Sequence, residues 1–359
     1  MEKYNSGISF STGALLIKWN ILNQVLVDLK LESGSEVDLF INFESILKNI
    51  CKNKKFNIQM NFYLQKIVIE LESSILNLIA HYRAYFKKNK IRCNIYFYYT
   101  DLSKSNNQLM KTESKYYRNY YFNKYINNPE FKNISRLMNI VVPDLEVILK
   151  FIEGVYLIKT SKIDGSLVPK LLSVNKSIII TEDLFDTIYN FEDFKVLYIR
   201  SKDGSLKNRL VLVEPIEIVN SFLEESNIFN LGIFSNELYF KLLLTFKGSI
   251  IRNITPLSSE NLSLLDFSKL LRSRVSEGLI LENFKSIESV LDFVPKGIKD
   301  ELKKSFKLFD LNLHLSKVTE SISQELKDQV VDEFDNESLM SLNNQRFLEF
   351  PVNLVDLVY

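Results

Sequence analysis

Residues 144–191, DLEVILKFIEGVYLIKTSKIDGSLVPKLLSVNKSIIITEDLFDTIYNF, carry the pattern that decides the fold. Asp144 opens a predicted helix in which Val147, Ile148 and Phe151 recur at helical spacing and face inward. Val155 to Ile158 then reads as a strand, Gly165 to Ser173 as a short helix, Ser177 to Ile180 as a second strand, and Glu182 onward as another helix. Short apolar strands alternating with helices predict a parallel sheet and hence an α/β fold.

Upstream, the stretch 36–52, EVDLFINFESILKNICK, repeats the pattern. A buried strand over Val37 to Ile41 passes at Asn42 into a helix whose Phe43, Ile46, Leu47 and Ile50 fall on one face. Gln59 to Lys88 holds neither Gly nor Pro and reads as one long helix or two joined ones, ending in the cluster Lys87, Lys88, Lys90. Arg92 to Tyr99, RCNIYFYY, has strand length and β-rich composition, and the polar tract Thr100 to Asn107 after it reads as loop. Leu15 to Leu31, with Trp19, reads as an added strand or helix that extends or caps the sheet. Lys195 to Ile199 and Arg209 to Val213 flank the turn Lys202-Asp203-Gly204-Ser205 and predict a hairpin at the sheet edge. Beyond Pro215 strand signals stop, and helical patterns broken by Gly248, Pro256, Gly278, Pro295 and Gly297 run to about residue 345. The expected organisation is an α/β domain over residues 1–215 and a mainly helical region over 216–359.

Composition limits the function classes. The 359 residues carry 45 Lys and Arg against 44 Asp and Glu, a formal charge of +1, so net charge gives no argument for nucleic-acid or membrane binding. Hydrophobic residues make up 46% of the chain, enough for a buried core, which excludes wholesale disorder. Cys51 and Cys93 stand far apart, with no CxxC and no partnering histidine, which removes zinc-ribbon and disulfide-framework readings and points to a reducing compartment. No window is apolar enough to span a bilayer and the first residues lack a signal-peptide pattern, so a soluble, cytoplasmic protein is expected. Ala14, Ala80 and Ala84 are the only alanines, while Asn, Lys, Ile, Phe and Tyr abound, a bias read as AT-rich coding.

Charge is nevertheless uneven. His81 to Tyr125 holds ten Lys or Arg against Asp101 and Glu113, a local charge of +8, whereas Glu301 to Tyr359 holds eleven acids against six bases. Within the basic span, Lys111, Lys115, Arg118 and Lys124 interleave with Tyr116, Tyr117, Tyr120 and Tyr121. Cations for a phosphate backbone and ring faces for bases form the combination that binds single strands. The alternative is a solvated basic helix whose tyrosines pack inward in i, i+4 pairs.

In an open parallel sheet, ligands bind beyond the carboxyl ends of the strands. The residues there are Asn42 and Glu44, then Thr100 and Asp101, then Lys162 and Asp164, then Thr181, Glu182, Asp183 and Asp186. Converging carboxylates suit hard divalent cations, and two such cations can clamp a phosphodiester displacement. The same residues can equally cap the helices that follow. His81 and His314 are isolated from each other and from the cysteines, and no serine elbow or glycine-rich phosphate loop accompanies them.

These strings, in this order, resemble the phage and bacterial 5′-nuclease or flap-endonuclease family. LFINFESIL (39–47) is similar to that family's first-strand motif, and KYYRNYY (115–121) to its basic, tyrosine-bearing arch, placed near 100–130. KIDGSLVPKLL (162–172) is similar to its paired-acid helix, SIIITEDLFDTI (177–188) to its strand ending in Asp-x-Asp, and KGSIIRNITPL (247–257) lies where a helix-hairpin-helix element near 247–280 would begin. The resemblance implies a PIN-like α/β domain with a mostly parallel sheet flanked by helices, then a mainly helical carboxy-terminal region. It also implies Mg²⁺ or Mn²⁺ as cofactor if the chain is active.

The sequence departs from the family at the acids. Asn42 stands at the first acid position, Lys162 and Gly165 at the paired-acid motif, and Phe185 where Asp-x-Asp has its second Asp. Asp164 and Asp183 remain as catalytic candidates, and Glu44, Asp101, Asp164, Asp183 and Asp186 as the set from which a displaced metal site could be rebuilt. Three readings follow. One is a catalytically inactive, nuclease-derived protein of phage origin that binds DNA or RNA, single-stranded or branched, or acts as an architectural subunit. A second is a working Mg/Mn-dependent 5′-nuclease. The third is a virion-structural or protein-interaction component, within a phage protein complex, that does not bind nucleic acid.

Overall fold

The computed structural model describes residues 19–52, 64–101, 129–183, 186, 189, 194–200, 209–212, 286–292, 294, 296–307 and 310–330. Helix α1 (Trp19–Asp28) precedes β1 (Glu36–Asn42), α2 (Phe43–Lys52), α3 (Leu64–Lys88) and β2 (Arg92–Thr100). Then come α4 (Pro129–Leu149), β3 (Val155–Thr160), a 3₁₀ turn (Gly165–Leu167), α5 (Val168–Leu172) and β4 (Lys176–Thr181). Strands β5 (Phe194–Arg200) and β6 (Arg209–Leu212) follow, then α6 (Ile287–Leu291), α7 (Lys296–Lys307), α8 (Leu311–Leu315) and α9 (Glu320–Lys327).

The strands form one sheet in the order β3-β2-β1-β4-β5-β6. The first five run parallel, and β6 pairs antiparallel with β5 in the expected edge hairpin. This is an α/β fold, as the alternating pattern predicts. The central strands read as continuous apolar runs because both faces of a parallel sheet are covered. In β1 every residue after Glu36 is buried. Alternation divides its side chains between the faces. Val37, Leu39 and Ile41 join Ile95, Phe97, Ile178 and Ile180 in the large core with α2, α3 and α4. On the other face Phe40 stacks on Tyr96 at 4.8 Å, Tyr96 stacks on Tyr156 at 5.1 Å, and Phe194 meets Phe40 edge-on at 6.4 Å. Asp38 and Asn42 lie on that second face, at opposite ends of β1, by the same alternation.

Two helices end on a lysine in the left-handed region, where glycine is usual. Lys30 has φ 50° and Lys90 has φ 57°. After Lys90 the Ile91 N–H returns to the Phe86 carbonyl at 3.0 Å, and after Lys30 the Leu31 N–H returns to the Leu26 carbonyl at 2.9 Å. The backbone bonds of a glycine-type cap are therefore made by a cation that also suits the negative end of the helix dipole.

One expectation needs correction. The helix predicted to open at Asp144 begins at Pro129, and Pro143 lies inside it. A proline in a helix interior costs about 3 kcal/mol and removes one backbone bond. Here Leu137, Met138 and Val141 before it and Leu145, Ile148 and Leu149 after it form one buried stripe. Packing of that stripe overrides the local break.

β3 is the terminal strand of the described sheet, and α9 lies against it. The Gln329 side chain accepts from the Lys159 N–H at 2.7 Å and donates to the Lys159 carbonyl at 3.1 Å, as a neighbouring strand would. Lys162 is bound to Glu325 of the same helix. An uncovered edge is a template for pairing with another chain. Gln329→Ala is expected to increase self-association over the unaltered chain at equal concentration in sedimentation velocity. Identical sedimentation would assign Gln329 no part in shielding this edge.

Among the described residues no helix is long and apolar enough to cross a membrane. The arch residues Lys111, Lys115, Tyr116, Tyr117, Arg118, Tyr120 and Lys124 lie outside the described residues, as do Phe185 and the 247–280 element.

Candidate functional site at the carboxyl end of the sheet

The strand order reverses between β1 and β4, since β2 and β3 lie to one side of β1 and β4 and β5 to the other. Crevices at such reversals are where open α/β sheets bind ligands. Asn42 ends β1 and Thr181 ends β4, so both face this position. No glycine follows β1: the chain passes from Asn42 straight into Phe43 and Glu44 of α2, which leaves no tight phosphate-cradling turn there.

A hydrogen-bond network fills the junction. The Asn42 amide donates to Asp186 Oδ2 at 2.8 Å, and Thr181 Oγ1 donates to the same oxygen at 2.5 Å. The Asn42 carbonyl oxygen accepts from the Ser45 N–H at 2.9 Å, which ties it to the first turn of α2. Ser45 Oγ accepts from the Glu182 N–H at 3.1 Å, and Thr181 Oγ1 accepts from the Asp183 N–H at 2.8 Å. Asn42, Ser45, Tyr98, Thr181 and Asp186 are all buried, Asp186 and Thr181 at 0% exposure.

Burial decides the electrostatics. A carboxylate removed from water loses solvation that hydrogen bonds replace only in part, so its neutral form is favoured. Burial raises the Asp186 pKa to about 7, and the Asp183 charge adds to that rise. Hydrogen bonds from Thr181 and Asn42 pull in the opposite direction, as does the neighbouring Tyr98 phenol. Tyr98 is pushed well above the ordinary phenol range by burial first, and then by Asp186 and Asp183. Beside them, Lys48 holds Glu182 at 2.8 Å.

The other candidate carboxylates have local work. Glu44 Oε1 accepts from the Thr100 N–H at 3.0 Å and so joins the start of α2 to the end of β2. Asp101 forms an ion pair with Lys159 at 2.9 Å. Asp164 caps the 3₁₀ turn by accepting from the Ser166 N–H at 3.0 Å. Thr100 Oγ1 accepts from the Gly165 N–H at 3.0 Å, and a Cβ at position 165 would lie 2.9 Å from that same oxygen. Position 165 therefore has no room for a side chain unless Thr100 moves.

The structure thus brings Asn42, Asp183 and Asp186 together at the switch point, and aligns Glu44, Asp164 and Gly165 around Thr100 beside it. Among the described residues, no group of three or more His, Cys, Asp or Glu side chains is arranged to hold a metal ion. His314 is buried and meets the Tyr189 ring edge-on at 5.6 Å.

Sequence reasoning did not single out Ser45 and Tyr98, and it placed Thr181 only by position. Small hydroxyls at strand ends belong to no motif, and Tyr98 is one of 17 tyrosines. The usable signal was positional: each of these residues lies at, or a few residues from, the end of a strand adjacent to the reversal. No family model matches the chain, and no curated protein matches it either.

Proposed function

We propose that the chain is a nuclease-derived nucleic-acid-binding protein in which the position of a metal-dependent phosphodiesterase centre has become an internal hydrogen-bond network. The observation that carries this reading is Asn42. It ends the central strand at the topological switch point and directs an amide donor at the only nearby fully buried carboxyl among the described residues, Asp186. A hard dication wants anionic oxygens with lone pairs to spare. This donor set does not fit that need: Asn42 is neutral, burial favours the protonated form of Asp186, and Glu44, Asp101 and Asp164 are committed to a backbone amide, a lysine and a helix cap.

The binding part of the proposal rests on the sequence, on Lys111, Lys115, Arg118 and Lys124 interleaved with Tyr116, Tyr117, Tyr120 and Tyr121. Cations contribute a salt-dependent attraction to phosphates, and each stacked base adds about 1–3 kcal/mol.

One gel tests both parts, with a labelled 5′-flap substrate at low salt, EDTA in one lane and Mn²⁺ in the next. The expected result is a shifted, intact band in both lanes. A Lys115→Ala, Arg118→Ala double variant is then expected to flatten the salt dependence of binding. Mn²⁺-dependent cleavage that Asp183→Ala abolishes would establish a working nuclease instead. Absence of any shift would leave the fold as a structural or protein-interaction body.

A further inference from the structure

A pocket of about 260 Å³ opens beside the switch-point network, between the carboxyl ends of β2 and β3 and the middle of α4. Neither Asn42 nor Asp186 lines it, and its wall residue Glu146 has no role in the function proposed above. Its volume lies near the lower end of small-ligand pockets, which is about 300 Å³. That suits a small organic molecule.

The charged residues among the described lining are unbalanced towards acids. Asp101, Glu146 and Lys159 all border the space, giving two carboxylates against one ammonium. The ammonium is already taken, since Lys159 Nζ lies 2.9 Å from Asp101 Oδ2. Glu146 forms no ion pair with any described residue. Pro143 also lines the pocket, and it has no N–H to give the carbonyl of Asn139, which lines the pocket one turn earlier on α4. The Tyr99 phenol, pushed upward by burial and then by Glu146 and Asp101, keeps its proton. Met138 and Val142 supply apolar wall between these polar points.

An anion entering here would meet a net negative charge on the described lining residues, with Lys159 among them already paired. A neutral apolar molecule would strip water from Glu146 without replacing it. A ligand with concentrated N–H donors and positive charge satisfies both. We propose that this pocket binds a small organic cation, an ammonium or guanidinium on a short aliphatic chain, with Glu146 as its principal anchor and the apolar wall of α4 holding the chain.

The test uses the full chain without nucleic acid, so its outcome is independent of the nucleic-acid reading. 1,4-Diaminobutane and agmatine are titrated calorimetrically at constant ionic strength, with sodium acetate as the anionic control. Saturable binding of at least one of the two amines is expected, with no signal from acetate. Glu146 is exposed, so Glu146→Gln keeps the fold and removes the charge. It is expected to weaken binding at least tenfold, in line with the loss of a charge-assisted hydrogen bond. Asn139 is exposed as well, and Asn139→Phe, which fills the mouth while keeping every charge, is expected to abolish binding. Unsaturable heat from both amines, affinity unchanged in either variant, or equal binding of acetate would each overturn the assignment.

Discussion

Asp38→Ala is expected to lower the unfolding free energy by roughly 3–5 kcal/mol, as removal of one partner from a buried polar network does. Asp38 is the third residue of β1 and is fully buried. Its Oδ1 accepts from Asn94 Nδ2 at 3.1 Å and from Asn175 Nδ2 at 3.2 Å. Its Oδ2 accepts from the backbone N–H groups of Val174 at 3.1 Å and Asn175 at 2.9 Å. One carboxyl group thus holds the turn between α5 and β4 against the two central strands. Alanine leaves four donors without their acceptor, and each such loss costs about 1–3 kcal/mol when no water can replace it. Asp38→Asn keeps the oxygen for two of them and turns the other site into a donor facing donors. Its expected loss is smaller, though still above 1 kcal/mol on the same scale. Urea unfolding followed by circular dichroism at fixed pH measures both. A loss below 1 kcal/mol for Asp38→Ala would mean that the turn is held by Ser173 and Ser177, whose hydroxyls lie 2.6 Å apart, and not by Asp38.

Asp38 also marks where the sequence could and could not be read. A carboxylate inside the run Val37 to Ile41 breaks the apolar pattern of a buried strand, and it needs donors from chain segments distant in sequence. Periodicity does not say which segments those are. The strands themselves were legible because β1, β2 and β4 each keep a short apolar run, Leu39 to Ile41, Ile95 to Tyr99 and Ile178 to Ile180, as suits a sheet covered on both faces. The hairpin of β5 and β6 was legible from its Asp-Gly turn. The order β3-β2-β1-β4-β5 was not, because strand order is set by which helix covers which face and leaves no local trace in sequence. The course of α4 was misjudged since a proline is a strong local signal and its compensation, the buried stripe from Leu137 to Leu149, is tertiary. At the candidate site, the strand-end rule named Asn42 and Asp186, but the hydrogen bond that joins them spans 144 residues of chain.

Asp186 is the source of the second large effect, a dependence of stability on pH with an unusual direction. Most carboxylates in folded proteins have lowered pKa values, and their contribution is lost as pH falls. Burial and the Asp183 charge raise this one to about 7, against an ordinary value of 3.8. Between those values the folded chain binds more protons here than the unfolded chain. Stability therefore decreases as pH rises from about 4 to about 7, and is flat in this respect on either side. At 1.36 kcal/mol per unit, the contribution amounts to about 4 kcal/mol, with the opposing pull of the surrounding donors already included. Asp186→Asn removes it. The Asn oxygen can take the place of Oδ2 and accept from Asn42 and Thr181, while its amide takes the place of Oδ1 towards the Tyr98 phenol. The variant is accordingly expected to match the parent near pH 4 and to exceed its stability by a few kcal/mol near pH 8, by the same linkage. Asp183→Asn, which removes only the neighbouring charge, should shift the parent's transition to lower pH without abolishing it. Glu182 and Lys48 lie beside these two aspartates, paired with each other at 2.8 Å. Urea unfolding of the three proteins from pH 4 to pH 8 distinguishes them. Parallel stability curves for the parent and Asp186→Asn would show that Asp186 is ionised throughout. The switch-point network would then be a site held ready for a cation, and the nuclease reading would regain the carboxylate that the present one denies it.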